Sequence, residues 1–212
     1  MSRGDFMDYR LATKEDLDVC IQMVGEAFKD YIYYNLYIDD MDKRMAFLDA
    51  IQKISLKTSL DLNKIFIGIE NGEIVSVAQL ETPSDKKASF LYYVFNGGIN
   101  VIKAGGLINT LKWFNMFDKT GKAAHRVEEE HWYLTSLAVN SKFKGKGYGR
   151  DIIHNCVIPY VKEHNGKLLT LITNDDDNRK FYDKVGFEMF SEEHFVFNGI
   201  QMGNWAYKMN IQ

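Results

Sequence analysis

The run SLAVNSKFKGKGYGRDII, Ser136 to Ile153, places glycine at every second position, Gly145, Gly147 and Gly149, between a strand-like and a helix-like stretch. Glycine reaches positive φ at little steric cost and leaves no side chain between the backbone amides and a ligand. At a helix start, such spacing turns successive N–H groups toward an anion, and the helix dipole adds a favourable field. Lys142, Lys144, Lys146 and Arg150 surround the loop, and no acid occurs from 141 to 150. The chemistry this predicts is phosphate binding; the competing reading is a glycine-rich connection with a solvated basic face. Two common phosphate loops do not fit. A P-loop needs Ser or Thr after Gly-Lys, which is missing, and a dinucleotide fingerprint needs G-x-x-G spacing near the first strand of its unit. Here the spacing is G-x-G-x-G, two thirds of the way along the chain.

The elements that must position this loop can be read from periodicity. HWYLTSLAV is a β-rich run before it, a helix follows from about Gly149 to His164, KLLTLIT is a short buried strand, and NDDDNRKFYDKV is a helix with acids in its first turn. Upstream, Thr13 and Asp16 form a capping pair for a helix through Leu17, Cys20, Ile21, Val24, Ala27 and Phe28. A second helix is expected over about Asp40 to Ser55, after the aromatic connection DYIYYNLYIDD. Ile65, Ile67 and Ile69 alternate up to Asn71-Gly72, and Ile74 to Leu80 continues, which predicts a hairpin. FVFNGIQMGNWAYKM predicts another around Asn198-Gly199. Residues 86–130 mix helical spacing with paired glycines and are read as a mainly helical insertion. This order predicts a mixed α/β (α+β) fold on one sheet, with residues 1–212 as a single domain.

Composition narrows the class. Hydrophobic content of 46%, aromatic content of 14% and only two prolines describe an ordered globular chain. A net charge of −3 gives no general reason to expect nucleic acid or a membrane surface as partner, so any basic function must be local. Cys20 and Cys156, without metal-type spacing, fit a reduced cytoplasmic protein, and no metal is expected. No secretory signal or membrane-length apolar window occurs, which predicts a soluble protein.

LAVNSKFKGKGYGRDII resembles the acyl-CoA motif of the GNAT superfamily of N-acetyltransferases, Gln/Arg-x-x-Gly-x-Gly/Ala. Lys144 stands at the first position, keeping the charge without the planar donor fork, so the match rests on the backbone cradle. NDDDNRKFYDKVGF is similar to the family's closing signature, an asparagine-containing helix start, a Phe-Tyr pair and Gly-Phe. The two motifs lie about 30 residues apart in the right order, and the resemblance covers roughly residues 131 to 190. It implies a mixed, mostly antiparallel sheet flanked by helices and splayed at the cofactor site. Acetyl-CoA would be the co-substrate and an amine the acceptor, with direct transfer. Leu137 and Val139 would offer backbone groups to the acyl carbonyl and pantetheine arm. The amides of Gly145, Lys146, Gly147, Tyr148, Gly149 and Arg150 would hold the pyrophosphate, and Asn178 would contact the pantetheine or simply cap its helix.

Tyr182 matches the tyrosine that protonates the departing thiolate, for which a phenol with an ordinary pKa of about 10 is suited; its alternative role is an amphipathic core aromatic. The general base is open. The strand before the loop offers Tyr133 and Thr135 where relatives carry Glu or His. His131, counted by twos onto the same face as Tyr133, Thr135 and Leu137, Glu81 and water are the candidates. Tyr31, Tyr33, Tyr34 and Tyr37, with Trp113, Phe114 and Phe117, form either an acceptor pocket or core packing. Asp175 to Asp177 either attract a cationic amine or simply solvate a helix start. The alternative to an enzyme is a non-catalytic acyl-CoA-binding or regulatory module, and an exposed terminal hairpin would suit a homodimer.

Overall fold

The computed structural model describes residues 7–86 and 88–212. The strands are β1 (Met7–Leu11), β2 (Lys64–Glu70), β3 (Glu73–Glu81), β4 (Trp132–Val139), β5 (Leu168–Thr173), β6 (Glu188–Phe197) and β7 (Ile200–Asn210). They form one seven-stranded sheet in the order β1-β2-β3-β4-β5-β7-β6. Every neighbouring pair is antiparallel except β4 and β5. The helices are α1 (Leu17–Phe28), α2 (Ile32–Asn35), α3 (Met41–Leu62), α4 (Phe90–Tyr93), α5 (Ile99–Gly105), α6 (Leu107–Gly121), α7 (Tyr148–Ile152), α8 (Ile158–Glu163) and α9 (Asp176–Val185). The mixed α/β architecture expected from the sequence is therefore present, and helices occupy most of the described part of 86–130.

Local chemistry explains the boundaries. Thr13 N–H donates to Asp16 Oδ2 at 2.7 Å, closing a single 3₁₀ turn over Lys14–Asp16 before α1 begins at Leu17. Asp40 accepts the Lys43 N–H at 2.9 Å and starts α3 as expected, but the helix runs on to Leu62 instead of stopping near Ser55. The polar letters that blurred its end are buried with partners: Thr58 Oγ1 donates to Ile54 O at 2.7 Å and Ser59 Oγ to Gln79 Oε1 at 2.8 Å. The two-residue hairpin turns have both central residues at positive φ, 51° and 80° at Asn71-Gly72, 50° and 77° at Asn198-Gly199. The second hairpin is longer than its apolar letters indicated, because β6 lies at the sheet edge and carries many polar, exposed positions.

Three apolar clusters fix the layers. Ile152, Ile153, Val157 and Val161 from the α7–α8 rod, with Tyr182 and Val185 from α9, pack on Leu80, Leu134, Leu169 and Tyr207. The rod is continuous through a π-helical stretch at 153–157. Full burial of Ile153 and Val157, worth about 1.5–3 kcal/mol each, offsets its poorer hydrogen bonding. A second cluster sets Cys20, Val24 and Leu56 of α1 and α3 against Ile67, Val77 and Ala138. The third joins α2, α3, α5 and α6 through Tyr34, Phe47, Ile51, Val101, Trp113 and Met116. Among the described residues no helix is long and apolar enough to cross a membrane.

Candidate active site

β4 and β5 hold each other by only two rungs, Trp132↔Leu169 and Tyr133↔Thr170. Beyond them β4 follows β3, with Leu137 opposite Ala78 and Val139 opposite Ser76, while β5 follows β7 out to Thr173↔Trp205. A wedge opens in the middle of the sheet, and the edge of β4 from 134 to 139 forms one wall. An unpaired strand edge is a row of donors and acceptors fitted to an extended ligand.

The β3–β4 ladder slips at this point: Gln79 faces Ser136 but Leu80 faces Leu134, so Thr135 bulges. The bulge inverts the alternation. Leu134 and Leu137 both pack in the α7–α9 cluster, whereas Ala138 lies in the α1–α3 cluster. Period-two counting from His131 to Leu137 therefore fails, and Tyr133 and Leu137 point to opposite faces. His131 also precedes the strand: its Nδ1 lies 3.0 Å from Glu129 O and its Nε2 2.8 Å from His125 Nδ1. Glu81 stands directly across from Tyr133 in the ladder, and after burial its charge is the next cause holding that phenol protonated above its ordinary range.

The glycine loop enters α7 beside this wedge. Gly145 and Gly147 take φ of 79° and 92°, and Gly147 caps the helix in the left-handed region. The first helical bond runs from Asp151 N–H to Gly147 O at 3.0 Å, so the amides of Gly149 and Arg150 lie ahead of the ladder. Not every loop amide faces outward. Lys144 N–H donates to Ser141 O at 3.3 Å and Lys146 N–H to Phe143 O at 3.2 Å. The Lys146 ammonium lies 4.8 Å from the Phe143 ring centre, and the side chains of Lys144, Lys146 and Arg150 are exposed. Tyr148 is buried and donates to Glu70 Oε2 at 2.5 Å, turning its side chain into the fold. A Cβ on Gly149 would meet Phe181 Cζ at 3.3 Å and Val139 Cγ2 at 3.4 Å, so this glycine lets α7 close against β4 and α9. A Cβ on Gly145 would meet nothing within 4 Å, which leaves the loop crest open to a ligand.

Tyr182 projects from α9 with ring contacts to Phe181, Phe187 and Tyr207 at 5.1, 5.7 and 5.9 Å. Burial, then the neighbouring Tyr31, raises its pKa well above the ordinary phenol value. Tyr133 also couples to Tyr31 and Tyr182, so three phenols converge where the strands part. The helix cap is Asp175, whose Oδ1 accepts from Asp177 and Asn178 N–H at 2.8 and 3.1 Å; Asn178 is not the cap.

A polar network that sequence reasoning missed lies beside these groups. Asn174 N–H donates to Tyr31 Oη at 3.0 Å, and Asn174 Nδ2 donates to Gly203 O at 2.7 Å and Asn204 Oδ1 at 3.0 Å. Asn204 Nδ2 reaches Thr120 O at 3.1 Å, and Tyr33 Oη donates to Thr120 Oγ1 at 2.6 Å. The signal was present in the first letter of NDDDN, which the matched Asn178 overshadowed. Asn174→Ala removes a buried donor from two acceptors, a loss of about 1–3 kcal/mol. The expected result is a melting temperature lower by about 2–12 °C, read by circular dichroism.

The aromatic connection resolves toward packing. Tyr33, Tyr34 and Trp113 belong to the third cluster, and Trp113 stacks on Phe117 at 5.2 Å. A cavity of about 380 Å³ opens next to the Tyr31–Asn174 contact, lined by Asp30, Ile32 and Asn174 to Asp177. Both cysteines are buried and burial pushes the thiols up, Cys20 to about 12 and Cys156 to about 11, so neither offers a thiolate.

Comparison with known proteins converges on one family. Residues 116–209 match the model of an acetyltransferase (GNAT) domain. Among solved structures, a histone acetyltransferase HPA2-related acetyltransferase from Corynebacterium glutamicum aligns at TM-score 0.66 and 19% identity, covering 94% of each chain. A protein described as arylalkylamine N-acetyltransferase 7 from the mosquito Aedes aegypti aligns at 0.65 and 17%, covering 96% of this chain and 88% of its own. The yncA acetyltransferase of Salmonella typhimurium, solved with acetyl-CoA, aligns at 0.56 and 13%, covering 98% and 95%. At these identities the structures speak to fold. The family match spans the parted strands, the glycine loop and α9 together, and over residues 116–209 the chain matches the acetyltransferase domain of the GNAT superfamily.

Proposed function

We propose that this protein, acting as one domain of 212 residues in the cytoplasm, moves an acetyl group from acetyl-CoA to an amine by direct transfer. The observation that carries the reading is the wedge between β4 and β5 with the glycine loop at one side and Tyr182 at the other. Acetyl-CoA supplies an activated thioester when bound, as its presence in the Salmonella relative supports. The outward amides of the loop crest and helix start, with Lys144 and Arg150 beside them, hold its diphosphate. The β4 edge at Leu137 and Val139 aligns the pantetheine arm through the backbone, and Leu137 N–H polarises the acyl carbonyl. Asn178 reaches the arm from α9. Tyr182 holds the proton that the leaving sulfur needs, and its raised pKa keeps that proton in place. Glu81, set opposite Tyr133, takes the amine's proton directly or through water. The inert cysteines favour a route without an acyl-enzyme. The name of the mosquito relative supports an amine acceptor.

The test is a thermal melt with acetyl-CoA, ATP or NAD, followed by thiol release across an amine panel. At saturating acetyl-CoA the melting temperature rises by about 5–11 °C, and the shift disappears in Gly147→Val, whose β-branched side chain cannot hold positive φ. Stabilisation by ATP or NAD alone overturns the assignment. Stabilisation by acetyl-CoA without thiol release leaves a binding or regulatory module, a reading favoured by the absence of any His, Asp or Glu from β4.

A further inference from the structure

The helical run at 88–122 is more apolar on its outside than a free surface requires. Of the 17 large apolar side chains exposed among the described residues, ten lie between positions 91 and 117. Scattered exposed apolar residues are ordinary, but a concentration of this kind marks an interaction surface. On α6 two stripes separate by spacing. Thr110, Trp113, Met116 and Thr120 are buried, while Leu107, Ile108, Leu111 and Phe114, at i, i+1, i+4 and i+7, are exposed by 57, 69, 60 and 44%. The helix is apolar on two sides and the protein covers one of them. Phe95 and Ile99, 81 and 54% exposed, extend the pattern into the preceding turns.

The charge of this run is opposite to that of the chain. Residues 88–122 contain four lysines, Lys103, Lys112, Lys119 and Lys122, against one acid, Asp118; four minus one gives +3. The whole chain is −3, so the remainder carries −6. All four lysines are exposed. An apolar face flanked by lysines is the signature of a helix lying in a bilayer interface.

We propose that α5 and α6 dock on an anionic phospholipid surface, the apolar stripe in the headgroup boundary and the lysines on lipid phosphates. Charge complementarity selects this occupant over a second copy, because two such faces would set +3 against +3 around one apolar centre. The overall charge of −3 concealed this surface at the level of the sequence, where no membrane partner was expected.

The full chain is sedimented with phosphatidylcholine vesicles with and without phosphatidylglycerol. The anionic vesicles should retain at least about tenfold more protein than the neutral ones, with the excess falling as salt is raised. Ile108→Glu/Leu111→Glu should lose that binding while keeping its melting temperature, since both side chains are exposed. Lys112→Gln/Lys119→Gln, which keeps the apolar stripe, should lose mainly the preference for anionic lipid. No retention of the unaltered chain, or retention equal in Ile108→Glu/Leu111→Glu, overturns the proposal. So does a dimer in analytical ultracentrifugation that Ile108→Glu dissociates while vesicles capture nothing.

Discussion

Tyr182→Phe lowers kcat for acetyl transfer by about 10²–10⁴-fold, the usual contribution of a positioned general acid, while the melting shift with acetyl-CoA persists. Phenylalanine keeps the ring contacts to Phe181, Phe187 and Tyr207, so the α9 cluster stays filled. What is lost is one hydroxyl at the place where Tyr31, Tyr133 and Tyr182 converge. A core aromatic with no chemical duty predicts the reverse pattern, an altered melt with kcat nearly intact. Steady-state kinetics with a thiol reagent, run beside melts with and without acetyl-CoA, separate the two. A fall in kcat of less than about fivefold would remove Tyr182 from the chemistry, given the magnitudes that general acids contribute. The pH profile adds an independent readout. Because burial raises the Tyr182 pKa, its deprotonation cannot produce an alkaline fall in rate below pH 10, and any such fall must come from another group.

The sequence carried the loop and the helix that follows it because their signals are local: glycine spacing, cation density, the helical period. It carried both hairpin turns for the same reason, since Asn-Gly is a conformational demand of two residues. It missed what depends on register and on distant partners. The bulge at Thr135 has no compositional mark, yet it decides that Tyr133 faces Glu81 and away from Leu137. The Tyr31–Asn174 contact joins residues 143 apart, and Asn204 reaches Thr120 across 84, separations at which a polar letter gives no hint of its partner. The uncovered stripe of α6 was equally hidden, because an apolar residue in sequence reads as core until a structure shows that nothing covers it.

Above pH 10 the fold should fail abruptly. Tyr33, Tyr34 and Tyr182 are each less than 10% exposed, and in each the phenol pKa is raised, chiefly because burial penalises the phenolate. Two of them are also wired into the core: Tyr33 Oη donates to Thr120 Oγ1 at 2.6 Å and Tyr34 Oη accepts from Gln52 Nε2 at 3.0 Å. A folded pKa above the unfolded value means that the native state holds its proton more tightly. The stabilisation is complete below the unfolded pKa near 10 and is lost as pH rises toward the folded pKa of each group. In that window each tyrosine removes about 1.4 kcal/mol per pH unit, so the three together remove about 4, against a total stability of about 5–15 kcal/mol. Urea midpoints measured from pH 8 to 11.5 should stay flat up to about pH 9, then slip as the buried Cys20 and Cys156 thiols, also held protonated by the fold, add their share. Above about pH 10 the midpoints should fall steeply, with phenolate absorbance appearing together with unfolding. Tyr34→Phe should soften the fall by about 1.4 kcal/mol per pH unit, since one of the protons the fold retains is gone. A midpoint that declines smoothly from pH 8, or phenolate absorbance that rises before the fold is lost, would mean that these hydroxyls reach water in the native state.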